Sequence, residues 1–266
     1  MWNDIKLIVC DLDGTLLDPQ GQIDRLMLQQ IPLLKDKGIA FSVASGRNYH
    51  IMQDTILACK IQIPYIANNG ANIYDESGCL YNCAIDKQEI RIIADILKHE
   101  NLSYIAYAHD ELFKVNDNKK IHHFAQRLIG KCEIIDMDAQ TKMLNKPIFK
   151  IVICAEEPYA LNQAKKLIEY HCPHSRCQQS ENDVFAINHC DASKGNALIR
   201  IAEDLGLQCT EVLFFGDNYN DLSVFDKFPN CVAMANADRE IKLKARYICK
   251  SNNENGVGSF VKKHLL

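Results

Sequence analysis

The stretch Leu7-Ile8-Val9-Cys10-Asp11-Leu12-Asp13-Gly14-Thr15-Leu16-Leu17-Asp18 decides the fold class. Its first four residues form an apolar run with no polar alternation. Such a run predicts a strand of a parallel sheet, buried on both faces. Two carboxylates two residues apart follow, and then a glycine. In an open α/β sheet, ligands bind at the carboxyl ends of the strands, which is where Asp11 and Asp13 fall. Gly14 permits a sharp turn and brings backbone N–H groups close to an anion. One carboxylate can attack phosphorus while the other does acid–base work. The competing reading is a solvated acidic loop with a turn glycine.

The pattern repeats outward from that strand. Residues 23–37 read as a helix, stopped by Gly38 and expected to kink at Pro32. Ile39 to Ala44 reads as a strand, Tyr49 to Cys59 as a helix and Tyr65 to Ala67 as a strand. Near the C-terminus, Ser193 to Leu205 is an amphipathic helix ended by Gly206. Val212 to Phe215, Cys231 to Met234 and Tyr247 to Cys249 are strands. The middle has a different order: a helix over 86–99, strands over 102–108 and 112–115, a polar helix near 117–128, a strand over 148–154, a helix over 158–170 and a strand over 184–187. The expected architecture is α/β, a doubly wound parallel sheet formed by residues 1–84 and 188–266, with an α+β cap domain inserted over 85–187.

Three further fragments sit at predicted strand ends or helix starts. In Gly216-Asp217-Asn218-Tyr219-Asn220-Asp221, the oxygen donors of Asp217, Asn220 and Asp221 suit a hard cation such as Mg²⁺. A helix N-cap is the alternative for one of the two acids. In Ser45-Gly46-Arg47, a small hydroxyl beside glycine can donate to a phosphate oxygen. In Ser193-Lys194-Gly195, a lysine at a helix start combines a point charge with the helix dipole; on its own it reads more simply as a surface lysine. Electrostatics connects the fragments. A carboxylate attacking a phosphate dianion meets repulsion of about 4 kcal/mol for each pair of unit charges at ~4 Å and an effective dielectric near 20. A metal ion and a lysine offset it.

Together, Asp11-x-Asp13-Gly14-Thr15, Ser45, Lys194 and Gly216-Asp217-x-x-Asn220-Asp221 resemble the four motifs of the haloacid dehalogenase (HAD) superfamily, in order. The insert of about 100 residues between the second and third motifs, Asn68-Asn69-Gly70-Ala71 and Asn255-Gly256-Val257 are similar to the Cof-type subgroup of capped sugar-phosphate phosphatases. The resemblance spans the chain but is specific only in the core. It implies that Asp11 is the nucleophile and forms an aspartyl-phosphate, and that Asp13 protonates the leaving oxygen and then activates water. It implies that Ser45 and Lys194 hold the phosphate, with Gly46, Arg47 and Asn69 near the substrate. Asp11, the backbone carbonyl of Asp13, and Asp217 would bind Mg²⁺, and Asn220 or Asp221 would complete or orient that shell. An acid at position 13 points to phosphatases and phosphomutases rather than to the superfamily's ATPases. Cys190-Asp191-Ala192-Ser193 departs slightly from relatives, which often carry a Gly there.

The expected function is Mg²⁺-dependent hydrolysis of a small phosphorylated metabolite, probed against three alternatives: a phosphomutase or phosphotransferase with the same nucleophile, a non-catalytic phosphometabolite-binding module, and a response-regulator-like phosphoacceptor of about half this size. A net charge of -4 and the two-residue basic run Lys119-Lys120 give no reason to expect nucleic acid as a partner. No apolar run approaches the ~18 residues of a membrane span. No protein partner is predicted. Met1 to Lys6 lacks the features of a secretory signal, so the expected compartment is the cytoplasm and the 12 cysteines are expected to be reduced. His171-Cys172-Pro173-His174-Ser175-Arg176-Cys177 holds two histidines and two cysteines, but its spacing fits no standard zinc finger. It reads as a loop after a helix.

Overall fold

In the computed structural model, described for residues 2, 4–136, 138–155, 158–181 and 184–266, the chain divides into two compact units. One comprises Met1–Arg47, Met52–Tyr81 and Ser193–Leu266; the other comprises Asn48–Ile51 and Asn82–Ala192. In chain order the elements begin with β1 (Leu7–Cys10), α1 (Arg25–Asp36), β2 (Ala40–Val43), α2 (Tyr49–Ala58), β3 (Tyr65–Ala67), β4 (Asn72–Asp75) and β5 (Gly78–Asn82). They continue with α3 (Lys87–His99), β6 (Ser103–Tyr107), β7 (Glu111–Val115), α4 (Lys119–Gln126), β8 (Glu133–Ile135), α5 (Ala139–Met143), β9 (Lys150–Cys154), α6 (Pro158–His171), β10 (Ser175–Glu181) and β11 (Val184–His189). The last are α7 (Lys194–Asp204), β12 (Val212–Gly216), α8 (Leu222–Phe225), β13 (Cys231–Ala233), α9 (Arg239–Lys244), β14 (Tyr247–Ile248) and α10 (Gly256–His264).

The first unit is built on a parallel sheet of order β14-β13-β12-β1-β2. All four residues of β1 and all five of β12 are buried, as their unbroken apolar runs require. From β1 the chain moves to one side, to β2; from β12 it moves to the other, to β13. The carboxyl ends of β1 and β12 therefore flank the point where the winding direction reverses, and ligands of doubly wound sheets bind at such points. Asp24 caps α1 by accepting from Met27 N at 2.9 Å, and its other oxygen accepts from Gly258 N at 2.9 Å, which ties α10 to the head of α1. Pro32 lies inside α1, which continues to Asp36. The hairpin β4–β5 and the helix α10 were not anticipated from the sequence.

The second unit has a six-stranded sheet of order β10-β11-β9-β6-β7-β8, antiparallel except for the β7–β8 pair. Its core gathers Ile90, Ile93 and Leu97 of α3, Leu161 and Ile168 of α6, and Tyr104, Phe113, Ile151 and Phe185 of the sheet. It is an α+β unit, as the order of elements predicted. Ser175 to Cys177, read from the sequence as loop, instead begin β10 and pair with Ile187 to His189. No helix among the described residues is long and apolar enough to cross a membrane. All 12 cysteines are free thiols.

Candidate active site

Asp11 leaves the end of β1, where its backbone N donates to Phe215 O of β12 at 2.9 Å. Its side chain is buried, at 4% exposure. Lys194 Nζ reaches it at 2.5 Å and also reaches Asp221 Oδ1 at 2.7 Å. Lys194 is the first residue of α7, which Ser193 caps by accepting from Asn196 N. The lysine is 0% exposed, so it is no surface lysine. Burial on its own would lower its ammonium, but Asp11 and Asp221 outweigh that and hold it above the ordinary lysine value.

The acids at the end of β12 make different contacts. Asp221 Oδ2 accepts from the backbone N of Asp217 at 2.9 Å and of Asn218 at 3.1 Å, while its Oδ1 accepts from Lys194. Both its oxygens are thus engaged in closing the 217–221 turn and seating the lysine. This favours the capping and orienting role for Asp221 over that of a cation ligand. Asp217 Oδ1 accepts from Thr15 Oγ1 at 2.7 Å. Burial, and then the neighbouring Asp221, push the Asp217 carboxyl up to about 6. Burial also pushes Asp11 well up; Lys194 opposes this, and Asp221 and Asp217 add to it. One ligand oxygen from each of Asp11, Asp217 and Asp221 lies within 4.8 Å of the others. An all-oxygen set in which burial makes Asp11 and Asp217 hold their protons too tightly is an environment that a hard divalent cation relieves. Asn220 Oδ1 is buried with no hydrogen-bond partner, so it is a better candidate than Asp221 for an additional ligand oxygen.

Gly14 has φ +81°, and a Cβ there would lie 2.2 Å from Asp217 Oδ2. Both the turn and the approach of Asp217 to the β1 loop require glycine. Asn236, after β13, holds the same loop by donating Nδ2 to Gly14 O at 2.8 Å. Asn236 was missed in the sequence; its place just beyond a strand end was the available signal.

Asp13, unlike Asp11, is open to solvent. Its side chain is 61% exposed and is gripped by Arg47, Nε to Oδ2 at 2.8 Å and Nη2 to Oδ1 at 2.5 Å. This fork holds both carboxylate oxygens in one orientation. Ser45 is fully buried, and its Oγ accepts from Arg47 N at 3.1 Å. Asn69, in the left-handed region at φ 61°, donates its backbone N to Ser45 O and accepts at Oδ1 from Asn220 Nδ2 at 3.1 Å. A Cβ on Gly46 would lie 2.7 Å from that Oδ1, so any larger residue would push the Asn69 amide aside. The structure therefore gathers the sequence-predicted residues into two contact groups: Asp11, Lys194, Asp217 and Asp221; and Asp13, Arg47 and Ser45, joined through the Asn69 N–Ser45 O bond to Gly46, Asn69 and Asn220.

The sequence pattern of the haloacid dehalogenase-like hydrolases matches residues 8–261. The chain belongs to this family. Its relatives include the 5-amino-6-(5-phospho-D-ribitylamino)uracil phosphatase YwtE of Bacillus subtilis (strain 168), 28% identical with 97% of each chain covered. The pyridoxal phosphate phosphatase YbhA of Escherichia coli (strain K12) is 23% identical, with 98% of this chain and 99% of that one covered. The structure of TM0651 from Thermotoga maritima superposes with a TM-score of 0.86 at 26% identity, covering 98% of each chain. The family membership and these full-length matches make the chain a HAD-type phosphatase, with the α/β fold expected from the strand carrying Asp11.

Proposed function

We propose that this phosphatase hydrolyses small phosphorylated metabolites, sugar phosphates foremost, through an aspartyl-phosphate on Asp11, with Mg²⁺ as cofactor. The observation that carries the reading is the fully buried Lys194 bridging Asp11 and Asp221. A lysine so placed neutralises charge at the point where a carboxylate must approach a phosphate dianion. Asp11 attacks phosphorus while the P–O bond to the leaving group breaks. Asp13 gives that oxygen its proton, then takes one from the water that attacks phosphorus and frees Asp11. Arg47 fixes the orientation of Asp13 through both steps. Ser45 lies beside this pair as a hydrogen-bond donor for phosphate oxygens, and Gly46 and Asn69 shape the adjoining surface.

Asp11, Asp217, the backbone carbonyl of Asp13 and the unpartnered Asn220 Oδ1 would hold the cation. Bound there, Mg²⁺ would supply electrostatic stabilisation of the charge that develops on the transferred phosphoryl group. The named activities of the relatives, on a phosphoribityl compound and on pyridoxal phosphate, support a small phosphomonoester as substrate. Phosphate release from a panel of sugar phosphates, these two compounds and an aryl phosphate, with Mg²⁺ or EDTA, tests the reading. Metal-dependent release abolished by Asp11→Asn is expected. Folded protein with no release from any member of the panel would overturn it.

A further inference from the structure

The segment around His174 received no metal role from its sequence spacing, but the fold gives His174 partners that the spacing did not reveal. Asp86 precedes α3 as its N-cap residue, and Glu89 occupies the first turn of that helix. His174 stands in the turn between α6 and β10. His174 Nδ1 lies 3.1 Å from Asp86 Oδ2 and 3.4 Å from Glu89 Oε1. One ligand atom from each of the three lies within 4.8 Å of the others.

These side chains differ from an ordinary surface ion pair in two respects. Glu89 is 95% buried by its 5% exposure, and it is anchored: Oε1 accepts from His174 N at 2.9 Å and Oε2 from Ser175 Oγ at 2.6 Å. Each oxygen keeps a second lone pair, so anchoring leaves the carboxylate able to ligate. The His174 ring is also oriented. The His189 ring stacks against it at 6.4 Å with 12° between planes. His189 in turn is fixed by accepting from Asp191 N at Nδ1, and the adjoining Cys190 N donates to His174 O at 2.7 Å. Ligands about 2.0–2.1 Å from a tetrahedral ion stand roughly 3.3–3.4 Å apart, which the Glu89 approach to Nδ1 matches and the Asp86 approach meets with a small outward shift.

We propose that Asp86, Glu89 and His174 form a second divalent-cation site, separate in chemistry from the all-oxygen cluster around Asp11. One imidazole nitrogen with two carboxylates, and room for water on the exposed side, selects a late first-row ion such as Zn²⁺ or Co²⁺ over Mg²⁺. Within its own unit the ion joins the residues where the chain begins α3 to the turn that begins β10. It is therefore a structural cation, and binding raises the thermal stability of the folded chain.

The test uses the full-length chain in excess Mg²⁺. Zn²⁺ uptake by equilibrium dialysis, and the visible absorption of added Co²⁺, are compared for wild type, His174→Ala and Asp86→Asn. Wild type is expected to take up one more equivalent than His174→Ala, to show Co²⁺ bands that this variant lacks, and to gain in Tm with Zn²⁺ where the variant does not. Asp86→Asn is expected to bind the ion at least 10-fold more weakly. Both substitutions fall at exposed side chains, and an unchanged far-ultraviolet circular dichroism spectrum verifies that each variant is folded. Equal uptake and equal Co²⁺ spectra in wild type and His174→Ala would overturn the site and assign the binding to thiols or to the Asp11 cluster. The readout is binding, so its failure is distinguishable from failure of the phosphatase reading.

Discussion

The ammonium of Lys194 lies 2.7 Å from Oδ1 of Asp221, and neither side chain has any exposure to solvent. The lysine supports two acids at once, because Asp11 lies 2.5 Å away as well. Removing one partner of a buried ion pair costs roughly 3–5 kcal/mol, since the other charge is left without compensation. Lys194→Ala is expected to lose stability of that order and to lower kcat by at least about 100-fold. Asp221→Ala is expected to destabilise comparably, because it also strands the N–H groups of Asp217 and Asn218. Urea unfolding midpoints with steady-state phosphate release measure both. A Lys194→Ala protein as stable as wild type would contradict the pairing.

Asp13 provides the opposite case. In its pair with Arg47 the carboxylate is 61% exposed, and pairs open to solvent contribute about 0–1 kcal/mol. Asp13→Asn is therefore expected to leave the unfolding midpoint within that range while reducing kcat about 10²–10⁴-fold, the usual contribution of a general acid–base group. A variant that loses stability and activity together would make Asp13 structural. Arg47→Lys keeps the charge but loses the fork, and should fall between Asp13→Asn and wild type in kcat.

Gly14→Ala tests the cation cradle. The new Cβ meets Asp217 Oδ2 at 2.2 Å in a backbone conformation of φ +81°. Asp217 must move, and the strained residue costs about 1–3 kcal/mol. The Mg²⁺ concentration for half-maximal phosphate release is expected to rise at least 10-fold. Asn236→Ala, which frees the same loop at Gly14 O, should shift it in the same direction by less.

Buried thiols make the protein sensitive to alkali. Burial pushes Cys59 up to about 12, and likewise Cys249. Between the ordinary thiol value near 9 and about 12, the unfolded chain releases these protons and the folded chain retains them. The folded state then binds more protons, so stability falls as pH rises, by at most about 1.4 kcal/mol per pH unit for each such thiol. Urea midpoints measured from pH 8 to pH 10 should fall, and Cys59→Ala should reduce the slope while starting from a lower stability at pH 8. Parallel slopes would refute the assignment.

Much of the site was legible because its chemistry is local to strand ends. The apolar run Leu7–Cys10 announced a buried strand, and the acids after it marked the candidate site. What Asp221 does was not legible, since a carboxylate that caps a turn and one that binds a cation look alike in sequence. The hairpin β4–β5 was missed because its outer strand alternates between exposed and half-buried residues and carries Gly, Cys and Asn. Helix α10 was missed because glycines open it, and its packing on α1 through Asp24 and Gly258 is a contact across 234 positions.

The sequence by itself determined the class of sheet, the presence of an inserted α+β unit and the identity of the acids and the lysine, because periodicity and strand-end chemistry are short-range properties. Only the tertiary structure decided which of those groups meet: that Lys194 is buried between two acids, that Asp13 is held in the fork of Arg47, and that His174 faces Asp86 and Glu89. Each of these depends on which side chains meet from distant segments and on how far they are removed from water. Burial and charge pairing, which set the energy of an ionised group, exist only once the chain has folded.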